Sequence, residues 1–244
     1  MTKANDSVTI MDIPFLNTTK DDFLHQYLFP RLADQKKSFV VTANPEIVMR
    51  AKEDTTYKEI IQSANYVIPD GSGILMAAKY KNEPLQERIP GYDLMLDLLK
   101  HAEEKGYSCY FLGAKESVNE KVVKEVNRQY PGLKIAGHHH GFFAIDDPEM
   151  AATVKTANPD LIFVALGVPR QEMWIAKHKD QFAKGLFIGI GGSFDIIAGE
   201  TKRAPQLWIN LNLEWLYRLI KQPTRFKRIL KVFEFMGRVI LRRD

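Results

Sequence analysis

The sequence predicts an α/β protein, a largely parallel sheet flanked by helices with a helical appendage at the C-terminus, and three observations carry that expectation. From residue 38 onward, short apolar runs alternate with longer segments of helical period, the pattern of repeated strand–helix units. Turns rich in glycine, proline and hydroxyl residues come after those runs. The C-terminal segment then changes composition: residues 201–244 hold eleven Lys+Arg against three Asp+Glu, a net +8, while the preceding chain is at −4. With 244 residues, 45% hydrophobic and 26% charged, the chain is long enough to bury one large core.

Taken in order, Val8–Ile13 reads as an extra edge strand and Lys20–Ala33 as a helix. Strands are expected at Ser38–Thr42, Tyr66–Ile68, Ser108–Leu112, Leu133–Gly137, Leu161–Leu166 and Leu186–Ile190, each a short run of apolar residues. Helices are expected between them, over Pro45–Glu53, Gly73–Tyr80, Asp93–Glu104, Ser117–Tyr130, Pro148–Thr156 and Arg170–Lys179. The single cysteine, Cys109, lies inside an apolar run, which rules out a disulfide framework and suits a reducing compartment. The opening MTKANDSVTIMDIPFL has no apolar stretch behind a basic one, and no uninterrupted apolar run of about 18 residues occurs, so the expected location is cytoplasmic.

Open α/β sheets bind ligands where strands end at their carboxyl edge, so the residues just after each strand are the candidates for a site. Thr42 and Asn44 alternate along the end of one strand, although Asn44-Pro45 is also a helix start. Asp70, between Pro69 and Gly71, is either an N-cap or an acid exposed to a ligand that Gly71 and Gly73 leave room for. Gly191, Gly192 and Ser193 open a helix whose amides suit a diphosphate, but the dinucleotide spacing is absent. Gln171 is a candidate ligand, whereas Glu172 reads as a dipole complement at a helix start. Arg88 could answer an anionic substrate, and Asp93 reads as a helix cap. His138-His139-His140 is a poor metal site, because consecutive residues do not share one face and no further ligand stands at a useful spacing. No Asp-x-Asp occurs, so neither a metal nor a cofactor is called for.

Residues 205–244 form a distinct unit by composition, appended to a core of residues 1–204. Leu207, Trp208, Leu211, Trp215, Leu216, Leu219 and Ile220 recur at helical spacing, Pro223 interrupts, and Phe226, Ile229, Leu230, Phe233 and Ile240 resume. Interleaved cations suit the surface of an anionic membrane, with a terminal helix pair packed on the core as the alternative. No nucleic-acid recognition motif accompanies the charge, and self-association is left open.

Together, Val41-Thr42-Ala43-Asn44-Pro45-Glu46, Pro69-Asp70-Gly71-Ser72-Gly73, Arg88-Ile89-Pro90-Gly91, Gly167-Val168-Pro169-Arg170-Gln171-Glu172, Gly191-Gly192-Ser193-Phe194-Asp195, Arg203-Ala204-Pro205 and Glu214-Trp215-Leu216-Tyr217-Arg218 resemble the WecG/TagA/CpsF glycosyltransferases over nearly the whole chain. Within that family the likeness is to the TagA/TarA branch of wall teichoic acid synthesis. The resemblance implies a Rossmann-like fold and inverting, metal-independent transfer of N-acetylmannosamine from UDP-N-acetylmannosamine to undecaprenyl-diphosphate-linked N-acetylglucosamine, at the inner membrane face. It implies Asp70 as general base with Thr42 in the catalytic group, Thr42 and Asn44 holding the sugar, and Arg88 and Gln171 contacting substrate. The turn of Gly191, Gly192 and Ser193 would face the donor diphosphate, and Arg218, Arg225 and Arg228 would bring charge to the leaving group. Tyr92 stands where the family usually has Thr or Ser. Another UDP-sugar, such as an N-acetylmannosaminuronic acid donor, remains an alternative, as does a non-catalytic membrane adaptor; a nicotinamide dehydrogenase lacks its fingerprint.

Overall fold

Six parallel strands make the central sheet in the computed structural model, which describes residues 7–210, 214–221 and 226–241. They come after a small antiparallel hairpin of β1 (Ser7–Ile10) and β2 (Ile13–Leu16). The main strands are β3 (Ser38–Ala43), β4 (Tyr66–Pro69), β5 (Ser108–Gly113), β6 (Lys134–His139), β7 (Leu161–Ala165) and β8 (Leu186–Gly189), arranged in the order β4-β3-β8-β7-β5-β6. Every residue of β3, β7 and β8 is buried, as expected of parallel strands covered on both faces.

The two faces carry separate apolar cores. One holds Ile47, Val48, Tyr57, Ile61, Val154, Trp174 and Ile175, from the helices after β3, β6 and β7. The other holds Leu94, Leu98, Leu99, Val118, Val122 and Phe194, from helices after β4, β5 and β8. Chain leaving β3 therefore covers one face and chain leaving β8, its neighbour, covers the other, which opens a crevice at their carboxyl ends.

The expected strands and helices of the main sheet are present with ends shifted by one or two residues. Three places differ. Val8–Ile13 is not an edge strand: the chain reverses at Met11 and Asp12, both at positive φ (47° and 63°), and pairs with itself. The Lys20–Ala33 segment is helical but widens over Phe23–Leu28, where the Phe29 amide reaches back to Leu24 O ahead of Pro30, which has no amide to donate. A helix over Thr55–Gln62 is additional, started by Asp54, whose carboxylate accepts from the Tyr57 amide at 3.0 Å.

The C-terminal segment forms helices at Gln206–Asn210, Glu214–Lys221 and Phe226–Ile240. The last packs on the helices Pro45–Glu53 and Ser72–Tyr80, burying Phe235 and Val239 in the same core as Ile47 and Ile74.

Close backbone approach sets the site's geometry. A Cβ at Gly73 would stand 2.8 Å from Pro45 Cγ, and one at Gly71 2.8 Å from Pro45 Cδ, so the start of the Ser72–Tyr80 helix lies directly on the start of the Pro45–Glu53 helix. Gly73→Ala is expected to destabilise the protein. Overpacking against a rigid ring costs about 1–3 kcal/mol, against a helix-propensity gain of about 1 kcal/mol. A lower urea midpoint at unchanged slope is the readout; a raised midpoint would show that the ring gives way.

Candidate active site

Thr42, Asn44, Asp70, Gln171 and the turn of Gly191, Gly192 and Ser193 gather at the carboxyl ends of four adjacent strands, β4, β3, β8 and β7. At the end of β3, the buried Thr42 hydroxyl donates to Gly189 O on β8 (2.8 Å), closing the crevice floor. Asn44 is the N-cap of Pro45–Glu53, its Oδ1 accepting from the Ile47 amide at 3.1 Å.

At the end of β4, the Asp70 amide donates to Ala43 O (2.9 Å), which carries the β3–β4 pairing one step beyond Pro69. Asp70 is half-buried and is not the N-cap of the next helix. That position belongs to Gly71, because the helix begins at Ser72. The room expected for a ligand at Gly71 and Gly73 goes to Asn44 and Pro45 instead. The neighbouring loop is held by the Ile89 amide, which donates to Pro69 O (2.8 Å).

At the end of β8, Gly191 takes φ 45°, a left-handed conformation that favours glycine. Its amide donates to Gln171 Oε1 (3.2 Å). The buried Ser193 hydroxyl donates to Ile190 O (2.8 Å), so both side chains serve the turn itself, while Gly192 is exposed. Gln171 Nε2 donates to Glu172 Oε1 (2.7 Å), and the Tyr57 hydroxyl donates to Glu172 Oε2 (3.0 Å). Tyr57, Glu172 and Gln171 thus form a buried chain that ends on the glycine turn.

Burial pushes the Glu172 carboxyl up to about 7, against the lowering effect of its hydrogen bonds from Gln171 and Tyr57; the charge of Glu46 adds to the rise. Burial and then the charge of Glu172 push Tyr57 above its ordinary range, and Arg50, over the Tyr57 ring at 5.9 Å, works the other way. Glu172 is therefore more than a dipole complement: it holds the Gln171 amide in register with Gly191.

Arg88 meets a partner that sequence reasoning missed. Its Nη2 lies 2.7 Å from Glu214 Oε2 on the Glu214–Lys221 helix, with only 12% and 10% of the two side chains exposed. A buried pair of this kind clamps the tail helix onto the loop beside Asp70. Removing one member of such a pair typically costs about 3–5 kcal/mol. Arg203 adds a second clasp, 2.7 Å from Asp93 and over the Tyr92 ring at 4.7 Å. Asp93 is not a cap, because the helix starts at Gly91 and Pro90 holds the cap position. No local pattern marks Glu214 or Arg203 as partners of these residues, which lie more than a hundred positions away in the chain.

Arg225 lies outside the described residues. Arg218 and Arg228 fall within the Glu214–Lys221 and Phe226–Ile240 helices, but their side chains are outside the description. The histidine run lies on and just beyond β6, at the opposite edge of the sheet. His138 Nδ1 is 2.8 Å from Asn119 Oδ1, and His139 Nδ1 is 2.8 Å from His140 O. Among the described residues, no group of three His, Cys, Asp or Glu is placed to hold a metal ion.

A Rossmann-like parallel sheet with a carboxylate, a hydroxyl, amides and a glycine turn at neighbouring strand ends is the build of an α/β enzyme, and comparison with known proteins makes its class that of the glycosyltransferases. Residues 8–244 match the Glycosyl transferase WecG/TagA/CpsF family, and the chain belongs to it. The N-acetylglucosaminyldiphosphoundecaprenol N-acetyl-beta-D-mannosaminyltransferase of Bacillus subtilis (strain 168) is 43% identical over 225 residues, 92% of this chain and 87% of the relative. Proteins of the same name from Bacillus spizizenii and Staphylococcus aureus (strain MW2) are 38% and 37% identical, each over 95% of this chain and about nine-tenths of their own length.

The raised Glu172 carboxyl has a measurable sign. An unfolded carboxyl releases its proton near 4.5 and the folded one near 7, so this group's contribution to stability is full below about 4.5 and is lost as pH rises through about 7. Glu172→Gln keeps the shape and cannot titrate. Relative to the variant, the parent protein is expected to lose stability across that range, measured as urea midpoints at several pH values; parallel curves would show that Glu172 does not titrate there.

Proposed function

We propose that this protein transfers N-acetylmannosamine from UDP-N-acetylmannosamine to N-acetylglucosaminyldiphosphoundecaprenol, forming a β-1,4 linkage with inversion in wall teichoic acid linkage-unit synthesis. The relatives' shared name supports the lipid-linked acceptor and the N-acetylmannosaminyl group transferred. The geometric support is Asp70, a half-buried carboxylate held at the crevice where β3, β4 and β8 end.

In this reading the acceptor hydroxyl oxygen attacks the anomeric carbon, Asp70 takes the hydroxyl proton, and the bond to the donor's β-phosphate oxygen breaks, its electron pair leaving with UDP. One displacement inverts the centre and needs one base. Thr42 lines the floor beside the base. Asn44 meets the sugar through Nδ2, since its Oδ1 is taken by the cap. Gln171 acts by shaping the turn of Gly191, Gly192 and Ser193, which meets the donor diphosphate. Arg218, Arg225 and Arg228 supply positive charge to the departing UDP in place of a divalent ion.

The appendage of residues 205–244 has two linked roles in this proposal: it completes the site through the clamp between Arg88 and Glu214, and it holds the enzyme on the inner face of the cell membrane, where a polyprenyl acceptor keeps its diphosphate. No helix among the described residues is long and apolar enough to cross a membrane. The basic, aromatic tail suits the headgroup boundary instead.

Asp70→Asn is expected to lower turnover by about 10²–10⁴-fold while leaving UDP binding and the thermal midpoint near those of the parent. A folded Asp70→Asn protein with ordinary turnover would remove Asp70 from the role of base. Glu214→Ala, assayed with a short-chain, water-soluble acceptor analogue, is expected to lower turnover by about tenfold or more, because a misplaced charged element is costly even at a distance of one contact. Full turnover would mean that the tail contributes nothing to the chemical site.

A further inference from the structure

Two helices from distant parts of the chain expose large apolar side chains along a common seam. The Ser72–Tyr80 helix of the body and the Phe226–Ile240 helix of the tail run side by side in the same direction. Near one end Val232 lies against Gly73, where a Cβ would stand 3.7 Å from Val232 Cγ1; at the other the Tyr80 hydroxyl donates to Ile240 O (3.3 Å). Phe235 and Val239 are buried in a core shared with Ile74, Ala77 and Ala78.

Spacing of three and seven residues puts Met76 and Tyr80 on the same side of their helix as Gly73, the side turned to the tail. Both are exposed, Met76 by 57%. On the tail helix, Leu230, Phe233 and Ile240 recur at the same spacings, Leu241 comes next, and all are exposed, Phe233 by 63%. A solvent-exposed apolar surface of this kind marks a binding site. Charge points to the occupant: residues 201–244 carry net +8 against −4 before them, the exposed Lys79 stands next to Tyr80, and Lys231 and Arg238 lie on the tail helix, paired at the surface with Glu53 and Glu234. An apolar strip on a cation-rich segment matches an anionic lipid surface.

We propose that the membrane-docking surface is built jointly by the body helix, through Met76 and Tyr80, and the tail helix, through Phe233 and Ile240, with an anionic bilayer as its occupant. The proposal rests on the peripheral-membrane part of the proposed function and extends it from the tail to the body. Its consequence is orientation. The body helix begins two residues after Asp70 and rises about 12 Å from Ser72 to Tyr80, so docking through its far end sets the height of the carboxylate above the lipid headgroups. A tail acting alone as a tether would leave that height open.

The test measures partitioning of the full-length protein to vesicles of phosphatidylglycerol and phosphatidylcholine, with pure phosphatidylcholine vesicles as the uncharged control and thermal midpoints confirming the fold. Met76→Glu is expected to weaken binding to the anionic vesicles about tenfold, Met76→Gln to weaken it less, and Phe233→Glu to weaken it comparably. If Phe233→Glu weakens binding and both Met76 variants bind like the parent, the joint surface is overturned and the tail alone is the anchor. If the parent protein ignores anionic vesicles, the membrane reading itself fails along with this extension. Sedimentation without lipid covers the remaining occupant: if Met76→Glu dissolves an oligomer while vesicle binding is kept, the face belongs to a second copy and the proposal is overturned.

Discussion

A parallel sheet buried on both faces leaves polar side chains almost nowhere to go except the strand ends, and the rest of this molecule is arranged around that constraint. Every residue of β3, β7 and β8 is enclosed, and the ladder satisfies the backbone within the sheet. Where the strands stop, their last carbonyls and amides need partners. Thr42 supplies one for Gly189 O, Asp70 lends its amide to Ala43 O, and Gln171 accepts from Gly191. The same bonds that finish the sheet therefore place the groups assigned to chemistry.

Buried charge is handled differently on the two sides of the crevice. Glu172 lies in the core with hydrogen bonds from Gln171 and Tyr57, and burial raises its carboxyl towards neutrality. Arg88 and Glu214 instead offset each other as an ion pair. The first arrangement tolerates loss of charge because a protonated Glu172 oxygen can donate to the Tyr57 hydroxyl while the other still accepts from Gln171 Nε2. The second does not, since removing either partner strands a charge away from water. The glycine turn is thus held by a hydrogen-bonded carboxyl whose proton affinity burial raises, and the tail by an ion pair.

The tail itself is divided between packing and exposure. Phe235 and Val239 face the body, and Phe233 and Ile240, on other sides of the same helix, face outward. A helix docked by one stripe and apolar on another is neither a free tether nor an ordinary terminal helix. In the proposed reading that division lets it complete the site and meet the lipid together.

The sequence by itself determined the α/β class, the six strands and most of their helices, because a buried parallel strand must be apolar throughout and its flanking helix must repeat every three to four residues. It also marked the strand ends where polar groups gather: the cluster holding Thr42, Asn44, Asp70, Gln171 and Gly191–Ser193 was legible, since glycine, hydroxyl and carboxylate residues interrupt apolar runs conspicuously. The hairpin was less so, for Met11 and Asp12 are not the residues that usually announce a turn with two positive φ angles. Only the tertiary structure decided that Gly71 and Gly73 make room for Pro45, that Gln171 serves the Gly191 turn, that Arg88 is paired with Glu214, and that Tyr80 reaches Ile240 on the tail. Each of these joins residues far apart in the chain through contacts that depend on how whole helices pack. Local composition carries no trace of such contacts, because either partner alone reads as an ordinary surface or core residue.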